Sequence, residues 1–291
     1  MNVLLVDIDS TIPNLALMKL SAHYKQFFRN NVGFNIKNPD IIYVSCIFKK
    51  NREQAYGLKH FYPNTEIIFG GSGLNYNLLP EEIESLKPDY DLYPSTYSQG
   101  YTTRGCTKRC SFCVVPDKEG KFKRNQHIKE FHDKKHDTVM LMDNNILADK
   151  EWFFNNTDYL LENNLKLIEH GMDVHRLDEE VAQRLSMLKW AKPMKFAFDH
   201  LSDEKAVLKG IELLKDVGID TKRKVQFYVL AGYNTTYEED LYRCQLLKDN
   251  NTSAFVMPYH KNKKLTRLAR WVNWKHFFWG SDFPTFLKGY A

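Results

Sequence analysis

The sequence predicts an α/β protein: a small doubly wound, Rossmann-like domain over 1–95, then a partial (β/α)6 barrel over 96–258 and a basic aromatic segment over 259–291 packing on it. Three observations carry this prediction. Short continuous apolar runs bounded by turn residues recur along the chain, the pattern of parallel strands buried on both faces. Amphipathic stretches with helix-start and helix-stop residues alternate with them. The chain shows no internal repeat and no low-complexity tract.

In the first domain the apolar runs are 3–8, 41–48 and 67–69, with a helix-like stretch at 15–28 and Gly70-Gly71-Ser72-Gly73 closing the third run. A second series begins near Gln99 and continues with 138–142, 165–168, 194–198, 225–230 and 254–257. Between these strands, 177–188 puts Val181, Leu185 and Leu188 on one helical face, and 202–217 starts at a capping serine and stops before Gly218. Thr236 and Glu239 form a capping box ahead of Leu241, Cys244 and Leu247. Six strands with intervening helices predict a partial barrel, with its chemistry at the C-terminal strand ends. The domain boundary is expected in 87–98, where two prolines and several turn formers interrupt the periodicity.

A chain that is 43% hydrophobic and 14% aromatic buries a sizeable core, which excludes disorder as the dominant state. No apolar run approaches the roughly 18 residues a membrane span needs. The first residues lack the basic start and cleavage site of a signal peptide, so a cytoplasmic protein is expected. The net charge of +5 resides in the last segment, where Lys261, Lys263, Lys264, Arg267, Arg270, Lys275 and Lys288 face one carboxylate, Asp282.

Three of the five cysteines, Cys106, Cys110 and Cys113, stand in Arg104-Gly-Cys-Thr-Lys-Arg-Cys-Ser-Phe-Cys-Val-Val-Pro116, a CxxxCxxC spacing after the first barrel strand. Three thiolates from one loop can hold three irons of a [4Fe–4S] cluster and leave the fourth iron open to a sulfonium cofactor. A zinc site would want a fourth ligand. His127, His132 and His136 are placed to offer one, but they lie in a lysine-rich stretch over 118–136 and are read as solvated.

At these residues the chain resembles the radical SAM (S-adenosylmethionine) enzymes, whose signature is CxxxCxxC with an aromatic residue before the third cysteine, here Phe112. The resemblance implies a partial (β/α)6 barrel, a [4Fe–4S] cluster on the three cysteines, S-adenosylmethionine as cofactor and an external electron donor of flavodoxin or ferredoxin type. It implies that Phe112 packs near the adenine, that Asp143, Asn144 and Asn145 bind the methionyl amine, that Asp199 and His200 lie by the ribose, and that Met257 and Pro258 lie by the adenine. Glu169, Asp173 and Arg176 are expected at the barrel mouth, with Arg176 and Tyr233 facing the substrate. The implied reaction is hydrogen abstraction by a 5′-deoxyadenosyl radical from a nucleic acid, a peptide or a small molecule. A non-catalytic metal- or nucleic-acid-binding protein is the alternative of another class.

The N-terminal domain is similar to cobalamin-binding domains, yet Asp7 is followed by Ile-Asp-Ser-Thr-Ile-Pro and not by an Asp-x-His-x-x-Gly loop. Cobalamin is therefore disfavoured, although the glycines at 70–73 would let a nucleotide tail approach the backbone. The cysteine loop also resembles that of the tRNA methylthiotransferases, which carry three further N-terminal cysteines. Only Cys46 lies in that domain, inside an apolar run, so sulfur insertion and a cobalamin-dependent methyl transfer are both disfavoured. Cys46 and Cys244 read as small buried residues. The segment 259–291 has two readings: interleaved arginines and tryptophans suited to single-stranded nucleic acid, or an apolar helix face of Leu265, Leu268, Trp271 and Val272 closing the barrel.

Overall fold

The computed structural model describes residues 1–289; the last two residues of the 259–291 segment lie outside the described residues. The chain forms two compact units, Met1–Arg109 with Cys113–Met140 in one, and Cys110–Phe112 with everything from Leu141 onward in the other. Both are mixed α/β with parallel strands. The units do not follow the expected division at 95. The stretch 87–98 is packed: the buried Tyr90 hydroxyl donates to Phe131 O at 2.7 Å, Ser21 Oγ donates to Asp89 at 2.6 Å, and Lys25 Nζ lies 2.7 Å from the same carboxylate. Polar groups used on both sides tie such a segment down instead of making it a linker.

The first unit runs β1 (Val3–Asp7), α1 (Leu15–Phe28), β2 (Val32–Gly33), β3 (Ile41–Ser45), α2 (Arg52–Phe61), β4 (Glu66–Gly70) and α3 (Glu81–Glu84). Its sheet has the order β2-β1-β3-β4, every pair parallel, with Val3 opposite Ile41 and Ile41 opposite Glu66. Successive strand residues point to opposite faces. Val3 and Leu5 join Leu17, Leu20 and Ile83 on one face, and Leu4, Ile42 and Val44 join Ala55 on the other. Two covered faces are why these strands read as continuous apolar runs, and the sheet is parallel throughout, as an α/β fold requires.

The glycine-rich turn after β4 serves the chain's own packing. Gly71 has φ +96°, and a Cβ there would come within 2.4 Å of Cys46 O. Only glycine fits such an approach. Cys46 is fully buried beside it.

The unit continues with β5 (Ser98–Gly100), β6 (Thr103–Arg104), α4 (Val115–Glu119), β7 (Lys123–Arg124), α5 (Ile128–Phe131) and β8 (Thr138–Leu141). β5 neighbours β8, and β6 and β7 form an antiparallel ribbon. One expectation is corrected here: His127, His132 and His136 are buried, not solvated. The apolar residues Ile128 and Phe131 draw the stretch into the core, and the imidazoles satisfy polar groups there. His127 Nδ1 accepts from Lys129 N at 3.1 Å, capping α5. His132 Nε2 donates to His136 O, and His136 Nε2 to Ser95 O, each at 3.0 Å.

The second unit carries α6 (Lys150–Glu162), β9 (Lys166–Ile168), α7 (Glu179–Met187), β10 (Lys189–Trp190), β11 (Met194–Ala197), α8 (Glu204–Asp216), α9 (Thr221–Lys224), β12 (Val225–Ala231), α10 (Tyr237–Asp249), β13 (Ser253–Pro258), α11 (Lys263–Asn273), α12 (Lys275–Gly280) and α13 (Phe283–Lys288). β11, β12 and β13 form one parallel sheet, with Leu230 opposite Met257 and Ala231 opposite Pro258. β9 pairs instead with β10, a two-residue strand that the apolar pattern does not mark. β9 and β11 therefore share no ladder. Between them runs a seam made of one isolated bridge, Met172 to Phe196, and the Glu169–Lys195 bonds described below.

In the C-terminal segment Leu265, Leu268, Trp271, Val272, Phe278, Phe283 and Phe286 are buried, so packing accounts for four of its aromatics. Asn273 Oδ1 accepts from Val256 N at 2.7 Å and Nδ2 donates to Val256 O at 3.0 Å, covering the free edge of β13. No helix among the described residues is long and apolar enough to cross a membrane.

Candidate functional site

The cysteine loop is entered through a glycine that nothing else can replace without strain. Gly105 has φ +72°, and a Cβ on it would sit 2.4 Å from Lys121 O. Its N–H donates to Glu119 Oε2 at 3.0 Å, and Arg104 Nε lies 3.5 Å from the same oxygen. The Arg104 guanidinium also stacks over the Tyr101 ring at 4.1 Å. Cys106 follows at once, and Lys108 N donates to its sulfur at 3.4 Å. Cys106, Cys110 and Cys113 are each partly buried and none is in a disulfide. In this conformation no three His, Cys, Asp or Glu side chains among the described residues converge on a single metal position.

In the second unit Phe112 is brought to the residues that follow β12 and β13. Its ring meets Tyr233 edge-on at 5.2 Å, and Tyr233 meets Tyr259 at 4.7 Å. The Tyr233 hydroxyl donates to Ser111 Oγ at 2.9 Å. Sequence reasoning singled out Phe112 and Tyr233 but missed Ser111 and Tyr259, which no motif marks.

Asp143, Asn144 and Asn145 leave the end of β8, with Asp143 and Asn145 buried. Asn145 Oδ1 accepts from Leu147 N and Asp173 N, both at 3.1 Å. Those two bonds fix which way the amide points, and Nδ2 has no hydrogen-bond partner among the described residues. Asn145 thus offers a buried donor. Donors suit a carboxylate and not an ammonium group, so the amine-binding role expected for it does not match its free atom.

Asp199 Oδ1 accepts from Leu230 N at 3.3 Å, which fixes the carboxylate beside the end of β12. His200 is exposed and its ring caps the turn Leu201–Asp203. Met257 is partly buried and Pro258 exposed, at the end of β13. Arg176 is exposed in the turn Val174–Arg176, which Asp173 caps.

A buried ion pair beneath these strand ends was not legible in the sequence. Arg243 and Asp240 on α10 are both fully buried, 2.6 Å apart. Arg243 donates to Phe198 O and, at 2.8 Å, to Leu230 O. Asp240 accepts from Gly232 N at 2.9 Å and from Thr235 Oγ1 at 2.7 Å. One guanidinium therefore joins the residue before Asp199 to the strand end before Tyr233. It acts through those residues and positions them.

The second buried pair closes the seam. Lys195 N donates to Glu169 Oε1 at 2.6 Å and Lys195 Nζ donates to Glu169 O at 2.8 Å, while Oε2 has no partner among the described residues. Glu169 was expected at the barrel mouth; it is 1% exposed at the end of β9. Burial lifts its carboxyl from the ordinary 4.5 to about 7, against the pull of the Lys195 backbone N–H and charge, and burial also lowers Lys195. Both partners move toward neutrality, so desolvation outweighs their attraction.

The folded chain therefore holds the Glu169 proton more tightly than the unfolded chain does. The resulting stabilisation is complete below about pH 4.5 and is lost as the pH rises through about 7. Glu169→Gln, which cannot ionise, is expected to flatten the pH profile of the unfolding free energy across that window by on the order of 3 kcal/mol. Denaturant titrations of both proteins from pH 4 to pH 8 check it, and parallel profiles would contradict it.

No protein-family model matches the chain. No curated protein matches it either. Among solved structures it is similar to Streptococcus suis SuiB bound to the precursor peptide SuiA, with a TM-score of 0.42 and 13% identity over 72% of this chain and 52% of that one. The chain thus spans about half the length of that neighbour.

Proposed function

We propose that the chain is a radical SAM enzyme, and the observation that carries the reading is the CxxxCxxC loop of Cys106, Cys110 and Cys113 with Phe112 before the third cysteine. The donor set fits the group: three thiols within eight residues, none in a disulfide, one receiving a backbone N–H. When bound, the cluster and S-adenosylmethionine supply reductive C–S cleavage and a 5′-deoxyadenosyl radical able to take hydrogen from an unactivated C–H bond.

The remaining roles belong to side chains of the second unit. Asn145 Nδ2 donates to the methionyl carboxylate, leaving the amine to Asp143 and Asn144. Asp199, fixed by Leu230 N, accepts from the ribose hydroxyls, with His200 beside it. Phe112, Met257 and Pro258 bracket the adenine, and Tyr233 and Arg176 face the substrate. We place these residues at the strand ends of a partial (β/α)6 barrel in a cytoplasmic protein that receives its electron from a flavodoxin- or ferredoxin-like donor. Cobalamin and methylthio transfer remain disfavoured, because neither an axial histidine loop nor three further N-terminal cysteines are in the sequence.

Anaerobic reconstitution with iron and sulfide is expected to give about four irons per chain. Dithionite and S-adenosylmethionine should then yield 5′-deoxyadenosine. Folded protein that binds zinc without sulfide and releases no 5′-deoxyadenosine would instead support the non-catalytic metal-binding alternative.

A further inference from the structure

The basic segment divides cleanly into a buried face and a charged one. On α11, Leu265, Leu268, Trp271 and Val272 are buried, whereas Lys263, Lys264, Thr266, Arg267 and Arg270 are exposed. Lys263, Arg267, Arg270 and Trp274 follow one another at spacings of four, three and four, so they lie along one side of the helix. At 1.5 Å per residue that stripe is about 16 Å long, room for two or three nucleotides of an extended strand. Lys261, Asn262, Lys263, Thr266 and Arg267 line a shallow, open surface depression at its N-terminal end.

Some exposed cations elsewhere in the protein are matched by carboxylates. Lys150 bridges Asp178 and Glu180 at 2.8 and 2.6 Å, and Lys135 meets Asp91 at 2.8 Å. Lys261, Lys263, Lys264 and Arg267 make no ion pair among the described residues, and the first turn of α11 holds no acid. Crowding four like charges around a helix N-terminus, where the macrodipole is already positive, is unfavourable without an anion. Two exposed aromatics adjoin the charges: Tyr259 is 50% exposed and touches Tyr233, and Trp274 is 54% exposed with the Arg270 guanidinium 5.7 Å from its ring. Cations in a row with aromatic faces beside them neutralise phosphates and stack bases.

We infer that this surface binds single-stranded nucleic acid, its phosphates along Lys261, Lys263, Lys264 and Arg267 and its bases against Tyr259 and Trp274. The inference deepens the proposed function by naming its substrate class, and it rests on that reading only for what happens to the strand once held. The Tyr259–Tyr233–Phe112 ring contacts carry the surface to the site, since Phe112 lies between the second and third cysteines.

The test is fluorescence anisotropy with a labelled oligoribonucleotide of about 12 nucleotides. Four phosphate contacts predict an affinity that falls about 50-fold between 50 and 200 mM salt. The variant carrying Lys261→Gln, Lys263→Gln, Lys264→Gln and Arg267→Gln should lose most of that salt dependence and at least about 30-fold in affinity at low salt, with an unchanged circular dichroism spectrum. Trp274→Ala should weaken binding about 10-fold while leaving the salt slope intact. Unchanged binding by the quadruple variant overturns the inference, as does equal affinity for an oligoglutamate or for the matching duplex. Salt-dependent binding by protein that forms no 5′-deoxyadenosine would keep this inference and remove the radical SAM reading; 5′-deoxyadenosine without any strand binding would do the reverse.

Discussion

Cys110→Ser is expected to leave a folded protein that yields no 5′-deoxyadenosine above background and retains well under half the iron of the parent after reconstitution. The expectation follows from counting ligands: a serine hydroxyl at neutral pH is a poor substitute for a thiolate, and a cluster held by two cysteines loses its geometry as well as its charge balance. Cys110 is the informative choice, because Cys106 follows directly on the tight, left-handed turn at Gly105, which its replacement would disturb. Cys244→Ser provides the control. That thiol is fully buried on α10, its pKa pushed up to about 12 mainly by burial, and its loss should spare both iron content and product. Iron analysis, labile sulfide and the visible spectrum check the pair. Full iron and product in Cys110→Ser would remove the cluster from this loop.

Arg243→Met is expected to destabilise the protein by about 3–5 kcal/mol, the cost of stranding the Asp240 carboxylate in the interior and leaving Phe198 O and Leu230 O without their donor. Adding Asp240→Asn should recover part of the loss, since the uncompensated charge is then gone while the carbonyls stay unsatisfied. Urea unfolding measures both variants. A loss under about 1 kcal/mol for Arg243→Met would show that the guanidinium is not the clamp its contacts imply.

The parts of the fold legible in the sequence are those whose cause is local. Apolar runs between turn residues located β1, β3, β4, β12 and β13, and the Thr236–Glu239 capping box located α10, whereas α8 starts at Glu204 without a side-chain cap from the expected serine. The CxxxCxxC spacing is equally local. What stayed hidden depends on partners distant in the chain: Glu169 meets Lys195 across 26 residues, Arg243 reaches Phe198 across 45, and Tyr233 finds Ser111 across 122. On α10 the polar residues Asp240 and Arg243 are fully buried, and polarity alone gives no sign of it. The histidines at 127, 132 and 136 failed similarly, because a lysine-rich stretch masked the pull of Ile128 and Phe131. On α11 both faces were legible, since Leu265, Leu268, Trp271 and Val272 recur at helical spacing and are the residues buried.

The seam between β9 and β11 has a consequence for how the chain finds its register. Strands normally read one another through a run of backbone bonds, so a slip of one residue is rejected many times over. Here the alignment rests on the Met172–Phe196 bridge, with Met172 N donating to Lys195 O, and on two Lys195 donations to Glu169, one to its carboxylate and one to its carbonyl. Register across this wall thus leans on two side chains, Glu169 and Lys195, beside a single backbone bond, so side-chain identity carries a share of the alignment that a full ladder would leave to the backbone.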